Sequence, residues 1–503
     1  MATPESTRLL RSYLPSSISV AADDLQRLVE YLDELPLAIT QAAAYITEQA
    51  TTAKEYFSML QDGDEDMQQL LSKSLSDNRR TDQESNSVIK TWKLSFDQIT
   101  KQNPRAAQML SLMAMFDRQG IPSNLLKRQE EPKRVFIQAL GTLQSFSLIA
   151  KVANTETYEM HRLVQLSTQA WLEVQNTTTN WRNKALHVLA EHFPNGSYFE
   201  YWQDCETLLP HARAILQYQC FSDDACLDCA KLLENLACFD YTQGRYDTAL
   251  VESREASEKF ARLLGSESPS TFSSTTTYAR CLAARGERQK ALQLLRKSSA
   301  AQEQMFGPNH PETLKSTSSL AWNLYAQNKY HEAEVLQRRI LALKESSLGL
   351  TDSTTLWSMG NLAVTLVSLE KYQEAEELQR KTLLAQERVL VPNHPDTIKT
   401  RHNLAWSFSR RKKWDEATEQ YRLVLSSREK VLGAEKPETL KSRHGVAWCL
   451  YNQAKYDEAI QPIESCLQLR RTTQTRKVTV LVLQGVGLIM RGAFPDRIIG
   501  TKP

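Results

Sequence analysis

The sequence predicts a mainly α-helical chain, in which a helical and winged-helix amino-terminal region precedes a solenoid of repeated helical hairpins. One alanine recurs in steps of 42 residues at Ala249, Ala291, Ala333, Ala375, Ala417 and Ala459. A second alanine keeps the same step at Ala237, Ala279, Ala321, Ala363, Ala405 and Ala447. Small residues at fixed helical positions let neighbouring helices approach closely. We therefore expect two helices per period and six stacked hairpins over residues 229–470.

Turn residues follow the same period. Glycines fall inside two hairpins and between hairpins, at Gly244, Gly286, Gly265, Gly307, Gly349 and Gly433. Prolines stand where the next helix begins, at Pro269, Pro311, Pro395 and Pro437, with Ser353 as the exception. Glycine suits a left-handed residue after a helix, and proline suits the first turn of a helix. The pattern predicts where each helix ends and restarts.

Three short motifs connect these repeats to a known family. Residues 309–313 read NHPET, residues 393–397 read NHPDT, and Asn403 is followed by Leu-Ala. These motifs resemble the tetratricopeptide repeats of kinesin light chains, and the resemblance covers residues 229–470. It implies binding to a protein or peptide. Motor binding is not expected, because repeats of this kind occur in many proteins unrelated to kinesin.

The first 225 residues are helical in pattern but aperiodic. Residues 35–38 read LPLA and resemble the Gly-Leu-Pro-Leu-Ala motif of NB-ARC ATPases, the nucleotide switches of the STAND class; Glu34 replaces the glycine. Residues 88–97 and 106–125 resemble the winged-helix region that follows the ATPase core in fungal members. Residues 160–162 read MHR where the family carries Met-His-Asp.

This resemblance implies two remnants of a nucleotide site. In the family, the motif proline packs near the adenine and the motif histidine approaches the ADP phosphates, which carries over to Pro36 and His161. From the residues alone, Pro36 can simply separate two helices. His161 can equally be a helix or strand terminus packed against Trp171.

A phosphate-cradling loop is missing from the sequence. Such a loop ends in Gly-Lys-Ser/Thr, yet none of the 16 glycines is followed by lysine. We therefore predict a non-enzymatic protein with no catalytic residue and no cofactor. ADP or ATP would need a P-loop domain, which relatives carry upstream. We expect the carboxyl part of a longer architecture, and truncation, a split gene or a wrong start would look alike.

Polar residues on the first helices of the repeats form the predicted peptide-binding groove. They are Asn361, Lys399, Arg401, Asn403, Lys441 and Arg443. Stacked repeats place them in rows, where they would hold the backbone and carboxylates of an acidic peptide. The alternative is an ordinary solvated helix face.

Composition limits the other function classes. The 503 residues carry a formal net charge of +2, which gives no global attraction to nucleic acid or an anionic membrane. We expect a cytoplasmic protein, because neither a signal peptide nor a spanning segment is recognisable. Its eight cysteines are expected to be reduced, and Cys226 and Cys229 to pack in a helix without a metal. His187, Glu191 and His192 do not have the spacing of a zinc-protease motif.

These observations divide the chain into six predicted segments. They are a helical ATPase remnant (1–75), a linker (76–85), a winged-helix-like domain (86–180), a helical connector (181–228), the repeats (229–470) and an atypical tail (471–503). Two functions remain open. The first is the ligand-sensing, repeat-containing half of a STAND-type regulator, and the second is a free-standing adaptor resembling kinesin light chain. Self-association is compatible with both.

Overall fold

The computed structural model describes residues 3–15, 21–32, 34–61, 82–218, 223–390 and 393–462. The chain forms two compact units, residues 1–263 and 264–503. The predicted tail at 471–503 lies outside the described residues, as do residues 62–81. The other predicted domain boundaries remain predictions.

The amino-terminal unit opens with helices separated by short turns: Thr3–Tyr13, Ala22–Tyr31, Pro36–Gln49, Ala53–Gln61 and Asp82–Gln102. Pro36 stands at the start of its helix, where its missing N–H costs nothing. The proline therefore separates two helices, as the sequence predicts. The predicted linker at 76–85 needs correction, because its last residues already belong to the helix that begins at Asp82.

A small sheet follows. The order is helix Pro104–Met113, strand β1 (Ile121–Pro122), helices Ser123–Leu126 and Lys133–Ser145, and strands β2 (Ile149–Lys151) and β3 (Thr157–Met160). The antiparallel sheet has the order β1-β3-β2, with Ile121 opposite Tyr158 and Ile149 opposite Met160. This order of elements is compatible with the winged-helix prediction for 86–180.

Further helices complete the amino-terminal unit and lead into the first hairpin. They are Arg162–Val174, Thr178–His192, the 3₁₀ turn Phe199–Tyr201, Trp202–Ile215, Asp223–Thr242 and Tyr246–Leu264. One continuous apolar core includes Trp92, Phe116, Phe146 and Phe239. Because Phe239 lies in the first helix of the first hairpin, that hairpin shares the core of the region before it.

The carboxyl-terminal unit consists of helix pairs: Pro269–Arg285 with Arg288–Phe306, Pro311–Ala326 with Tyr330–Leu348, Ser353–Ser368 with Tyr372–Val389, Pro395–Arg410 with Trp414–Val431, and Pro437–Asn452 with helical residues from 456 to 462. All twelve periodic alanines are at most 1% exposed. The alanine period thus corresponds to helix–helix contacts, and the predicted hairpin repeat is confirmed.

The turns confirm the predicted backbone conformations. All six periodic glycines have positive φ, from 78° at Gly244 to 97° at Gly286. The position of Gly286 recurs every 42 residues as Asn328, Glu370, Lys412 and Ala454, with φ between 60° and 63°. Left-handed backbone is unfavourable for most residues other than glycine. The inner turns nevertheless keep this backbone conformation at the positions where another residue replaces glycine.

Candidate peptide-binding face of the repeat array

The first helices of successive hairpins contact one another along the carboxyl-terminal unit. The helices are close enough for side chains two repeats apart to approach each other. The Lys399 ammonium lies 6.0 Å from the centre of the Trp322 ring. In helical solenoids, stacked repeats form an extended concave surface that binds partners, and we take the contacting first helices to line it. We call the residues that these helices direct inward the first-helix face.

Three rows of equivalent residues define the first-helix face. The rows are Ser273, Lys315, Trp357, Lys399 and Lys441; Thr277, Ser319, Asn361, Asn403 and Gly445; and Arg280, Trp322, Val364, Trp406 and Trp448. None of these fifteen residues is acidic, whereas four are cationic and four are tryptophan. The face thus combines positive charge with large aromatic surfaces.

Two of the predicted groove residues hold the array together. Arg401 forms an ion pair with Glu387, and Arg443 forms the equivalent pair with Glu429 one period later. Each pair joins the second helix of one hairpin to the first helix of the next. Arg443 is only 8% exposed. Their guanidinium groups are therefore already engaged by carboxylates of the array.

The other four predicted groove residues differ in their exposure. Asn361 is buried and Asn403 is half-buried, whereas Lys399 and Lys441 are exposed. Lys441 lies 3.7 Å from Glu438 in its own helix. The six residues lie on neighbouring first helices as predicted, but of the six only the two lysines present exposed charge. Their role in peptide binding remains a prediction.

Sequence reasoning missed the tryptophans. Trp322, Trp406 and Trp448 occupy one row and are separated by 84 and 42 residues. Trp322 stacks on Tyr325 with ring centres 5.0 Å apart, and Trp448 stacks on Tyr451 at 6.2 Å. Their spacing in multiples of the repeat was visible in the sequence and could have identified them.

Buried polar groups support the floor of this face. Arg428, from a second helix, donates to the Glu438 carbonyl and the Ser442 hydroxyl, both at 2.7 Å. Burial lowers the Arg428 pKa to about 10. Burial, together with repulsion from Arg428 and Lys441, lowers the His402 pKa to about 3, so His402 is neutral at physiological pH. The fixed positive charge comes from lysine and arginine.

In the amino-terminal unit, both predicted nucleotide-site residues begin helices. Pro36 is exposed at the start of one helix, and exposed His161 follows β3 and caps the helix Arg162–Val174. The His161 Nδ1 accepts a hydrogen bond from the Leu163 amide at 3.2 Å. Both helices pack on Asp82–Gln102. These contacts explain the structural roles, and nucleotide binding remains a prediction.

A separate polar cluster includes His187, Glu191 and Asp228. The His187 Nδ1 lies 2.9 Å from an Asp228 oxygen, and the Lys231 ammonium lies 3.4 Å from Asp228 and 3.8 Å from Glu191. The Lys231 ammonium therefore offsets part of the negative charge of these carboxylates. Cys226 and Cys229 are buried in the helix that holds Asp228. This confirms the predicted packing of the two cysteines.

The fold and its first-helix face define a class of protein: residues 228–472 carry tetratricopeptide repeats, which indicate protein–protein interaction. The tetratricopeptide repeat family matches residues 228–304, 278–346, 354–430 and 410–472. A family described as a domain of unknown function, DUF7779, matches residues 97–177. No helix among the described residues is long and apolar enough to cross a membrane.

Particular relatives agree with this class. A nucleotide-binding leucine-rich repeat (NLR)-like protein of Hyaloscypha variabilis is 34% identical over 257 residues, or 50% of this chain and 26% of that protein. This chain therefore matches about a quarter of that relative's length. The resemblance to NB-ARC/STAND proteins with kinesin-light-chain-like repeats is confirmed at this level.

Two solved structures are also similar. A STAND protein with a tetratricopeptide repeat sensor from Pyrococcus horikoshii has a TM-score of 0.53 and 12% identity, covering 97% of this chain and 69% of that one. This similarity concerns the fold. Nearly identical tetratricopeptide-like repeats of a kinesin light chain protein from Podosopora anserina are 27% identical, with a TM-score of 0.36, covering 42% of this chain and 100% of that one.

Proposed function

We propose that this chain is the ligand-sensing, repeat-containing part of a STAND-type signalling regulator. Its repeats bind an extended, acidic segment of a partner protein along the first-helix face. The observation that carries this proposal is the absence of acidic residues from the fifteen positions of that face, together with its lysines and tryptophans. An acidic segment would gain charge complementarity along its whole length.

The regulatory part of the proposal rests on the amino-terminal unit. Pro36 and His161 begin helices that share one neighbouring helix, and the NLR-like relative supports a link to nucleotide switches. The repeat region senses the ligand without catalysing a reaction. We place the protein in the cytoplasm. The described residues are not expected to bind ADP or ATP unless a P-loop domain is added.

The alternative function is a free-standing adaptor. The kinesin-light-chain-like motifs at 309–313 and 393–397 favour it as much as they favour a sensor, since both use the repeats to bind protein. Upstream transcript sequence separates the two: an in-frame P-loop supports the regulator, and an independent start supports the adaptor. Partner binding by the repeats is common to both.

A peptide-display selection with the full chain tests partner binding. Selected peptides should be enriched in Asp and Glu, and the charge reversal Lys399→Glu should weaken their binding at least tenfold. Lys381→Glu is the matched control, because Lys381 is exposed on a second helix away from this face. Peptides without acidic enrichment, or equal losses in the two variants, would contradict the proposal.

A further inference from the structure

Lys399 differs from the lysines that occupy its place in other repeats. The Lys315 ammonium lies 3.9 Å from Glu312, and the Lys441 ammonium lies 3.7 Å from Glu438, each three residues earlier in its own helix. For Lys399, no carboxylate of the described residues lies within the 4.0 Å of an ion pair. Asp396 holds the place of those glutamates, three residues before Lys399, and acts on it electrostatically, but it does not come within ion-pair distance of the ammonium.

Two indole rings surround Lys399 instead. Its ammonium lies 6.0 Å from the centre of the Trp322 ring and 5.9 Å from that of Trp357, which belong to the two preceding first helices. At these distances each ring attracts the cation weakly. The surroundings desolvate the ammonium, although the Lys399 residue as a whole is exposed.

Positive charge accumulates around this point. The Lys344 ammonium lies 5.9 Å from the same Trp357 ring and donates to the Ser358 hydroxyl at 3.0 Å. The groove walls desolvate Lys399 and lower its pKa; Asp396 opposes this effect, and repulsion from Arg280 and Arg428 adds to it. Asp352 acts on Lys344 in the way that Asp396 acts on Lys399. The charged groups that act on Lys399 are thus two cations and one carboxylate, and an added anion stabilises such an arrangement.

We propose that Lys399, Trp322 and Trp357 form a subsite for a phosphorylated serine or threonine of the bound peptide. This inference rests on the proposed function, since it specifies the ligand of the same face. A phosphate group carries about −1.5 to −2 charges at neutral pH and offers three strong acceptor oxygens. A carboxylate offsets one cation at most. The surplus of positive charge therefore favours phosphate, and the indole rings contact the flanking apolar groups of the peptide.

The test compares peptide pools on the full chain. Each pool contains nine-residue peptides with randomised flanks and a fixed central residue, which is phosphoserine, glutamate or serine. Binding is measured by fluorescence anisotropy. The phosphoserine pool should bind at least tenfold more tightly than the glutamate pool, and the serine pool should bind most weakly.

Variants of Lys399 test whether this residue causes the preference for phosphoserine. Lys399→Met should abolish the preference for phosphoserine, Lys399→Arg should keep it, and Lys381→Met should leave it unchanged. Equal binding of the phosphoserine and glutamate pools would overturn the phosphate subsite while leaving peptide binding intact. A phosphoserine preference that survives in Lys399→Met would overturn its location. Failure of all pools to bind would overturn the proposed function as well.

Discussion

The two units of this protein are stabilised differently. The amino-terminal unit has one continuous apolar core, with Trp92 fully buried within it. In the repeat unit, apolar residues form separate smaller clusters, for example around Ala321, Met359 and Phe408. Buried polar contacts recur between these clusters in steps of the repeat. An irregular region needs one shared core, whereas a repeated region can rely on the same local contact many times.

One recurring polar contact shows this clearly. Gln302, Lys344 and Arg428 occupy equivalent places on second helices and contact Ser316, Ser358 and Ser442 on the next first helices. The contacted serines are separated by multiples of 42 residues, so the same hydroxyl is used each time. The contacting residue changes from a neutral amide to a cation. Hairpin packing is therefore fixed by position, while its charge varies between repeats.

Truncation of a core residue should give the largest difference between the units. Trp92→Ala should lower the free energy of unfolding by about 3–5 kcal/mol, because it empties a fully buried site that stacks on Phe96 at 4.9 Å. Trp322→Ala, at a site 37% exposed, should cost less, about 1–2 kcal/mol. Denaturant unfolding measures both. Similar losses would contradict the distinction between a shared core and a repeated surface.

Two glycines inside helices of the repeat unit should respond in opposite directions. A Cβ at Gly445 would lie 2.8 Å from the Tyr421 ring, so Gly445→Ala should destabilise the chain by about 1–3 kcal/mol. A Cβ at Gly360 would meet nothing within 4 Å, so Gly360→Ala should stabilise it by about 0.5–1 kcal/mol. Thermal denaturation of both variants checks the pair. A loss of stability in Gly360→Ala would show that its site is more crowded than described.

The charge of the recurring polar contact should affect stability. Burial lowers the Lys344 pKa to about 8, well below its unfolded value, so protonation favours the unfolded state. The resulting loss of folding stability is fully present below pH 8 and disappears as pH rises towards 10.5. Lys344→Gln introduces the residue type found at the equivalent position, Gln302. It should raise the free energy of unfolding at pH 7 by about 1–3 kcal/mol.

The difference between Lys344→Gln and the original chain should shrink between pH 7 and pH 10. Comparing the two proteins at each pH isolates Lys344 from the other titrating groups. Lys344→Met is a useful control, because it removes the charge without restoring an amide. A difference that stays constant with pH would show that the lysine is not desolvated in the folded chain.

Exposed ion pairs should contribute least to the free energy of unfolding. Arg422 and Glu458 lie 3.1 Å apart, and both side chains are more than half exposed. Arg422→Gln should change the free energy of unfolding by less than about 0.5 kcal/mol, because water and salt screen such pairs. Chemical denaturation at low and high salt measures this change. A loss above 1 kcal/mol would place this pair among the contacts that hold the hairpins together.

The sequence predicted the repeats well because each position is sampled several times. Twelve alanines and six glycines identify the helix contacts and turns, and the structure confirms both. Side-chain pairing was harder to predict. Arginine is a residue type that is typical of binding grooves. The carboxylate partners of Arg401 and Arg443, however, lie 14 residues earlier on another helix. The neighbour of a charged side chain depends on hairpin geometry, which periodicity alone does not give.

The aperiodic region gave less information. Pro36 correctly marked a helix start, whereas the helix from Asp82 was assigned partly to a linker because its first turn is polar. A polar helix start resembles a loop when no repeat supplies a second example. The tryptophans of the first-helix face show a different limit, because a large aromatic residue in a helix is as typical of a core as of a binding surface.

Hydrogen exchange with and without a selected peptide tests most directly whether the first-helix face is the binding site. Binding should slow amide exchange in the first helices Pro311–Ala326, Ser353–Ser368 and Pro395–Arg410, and much less in the second helices. Lys399→Glu should remove this protection. Protection confined to the second helices, or to the amino-terminal unit, would contradict the assignment of the ligand to this face.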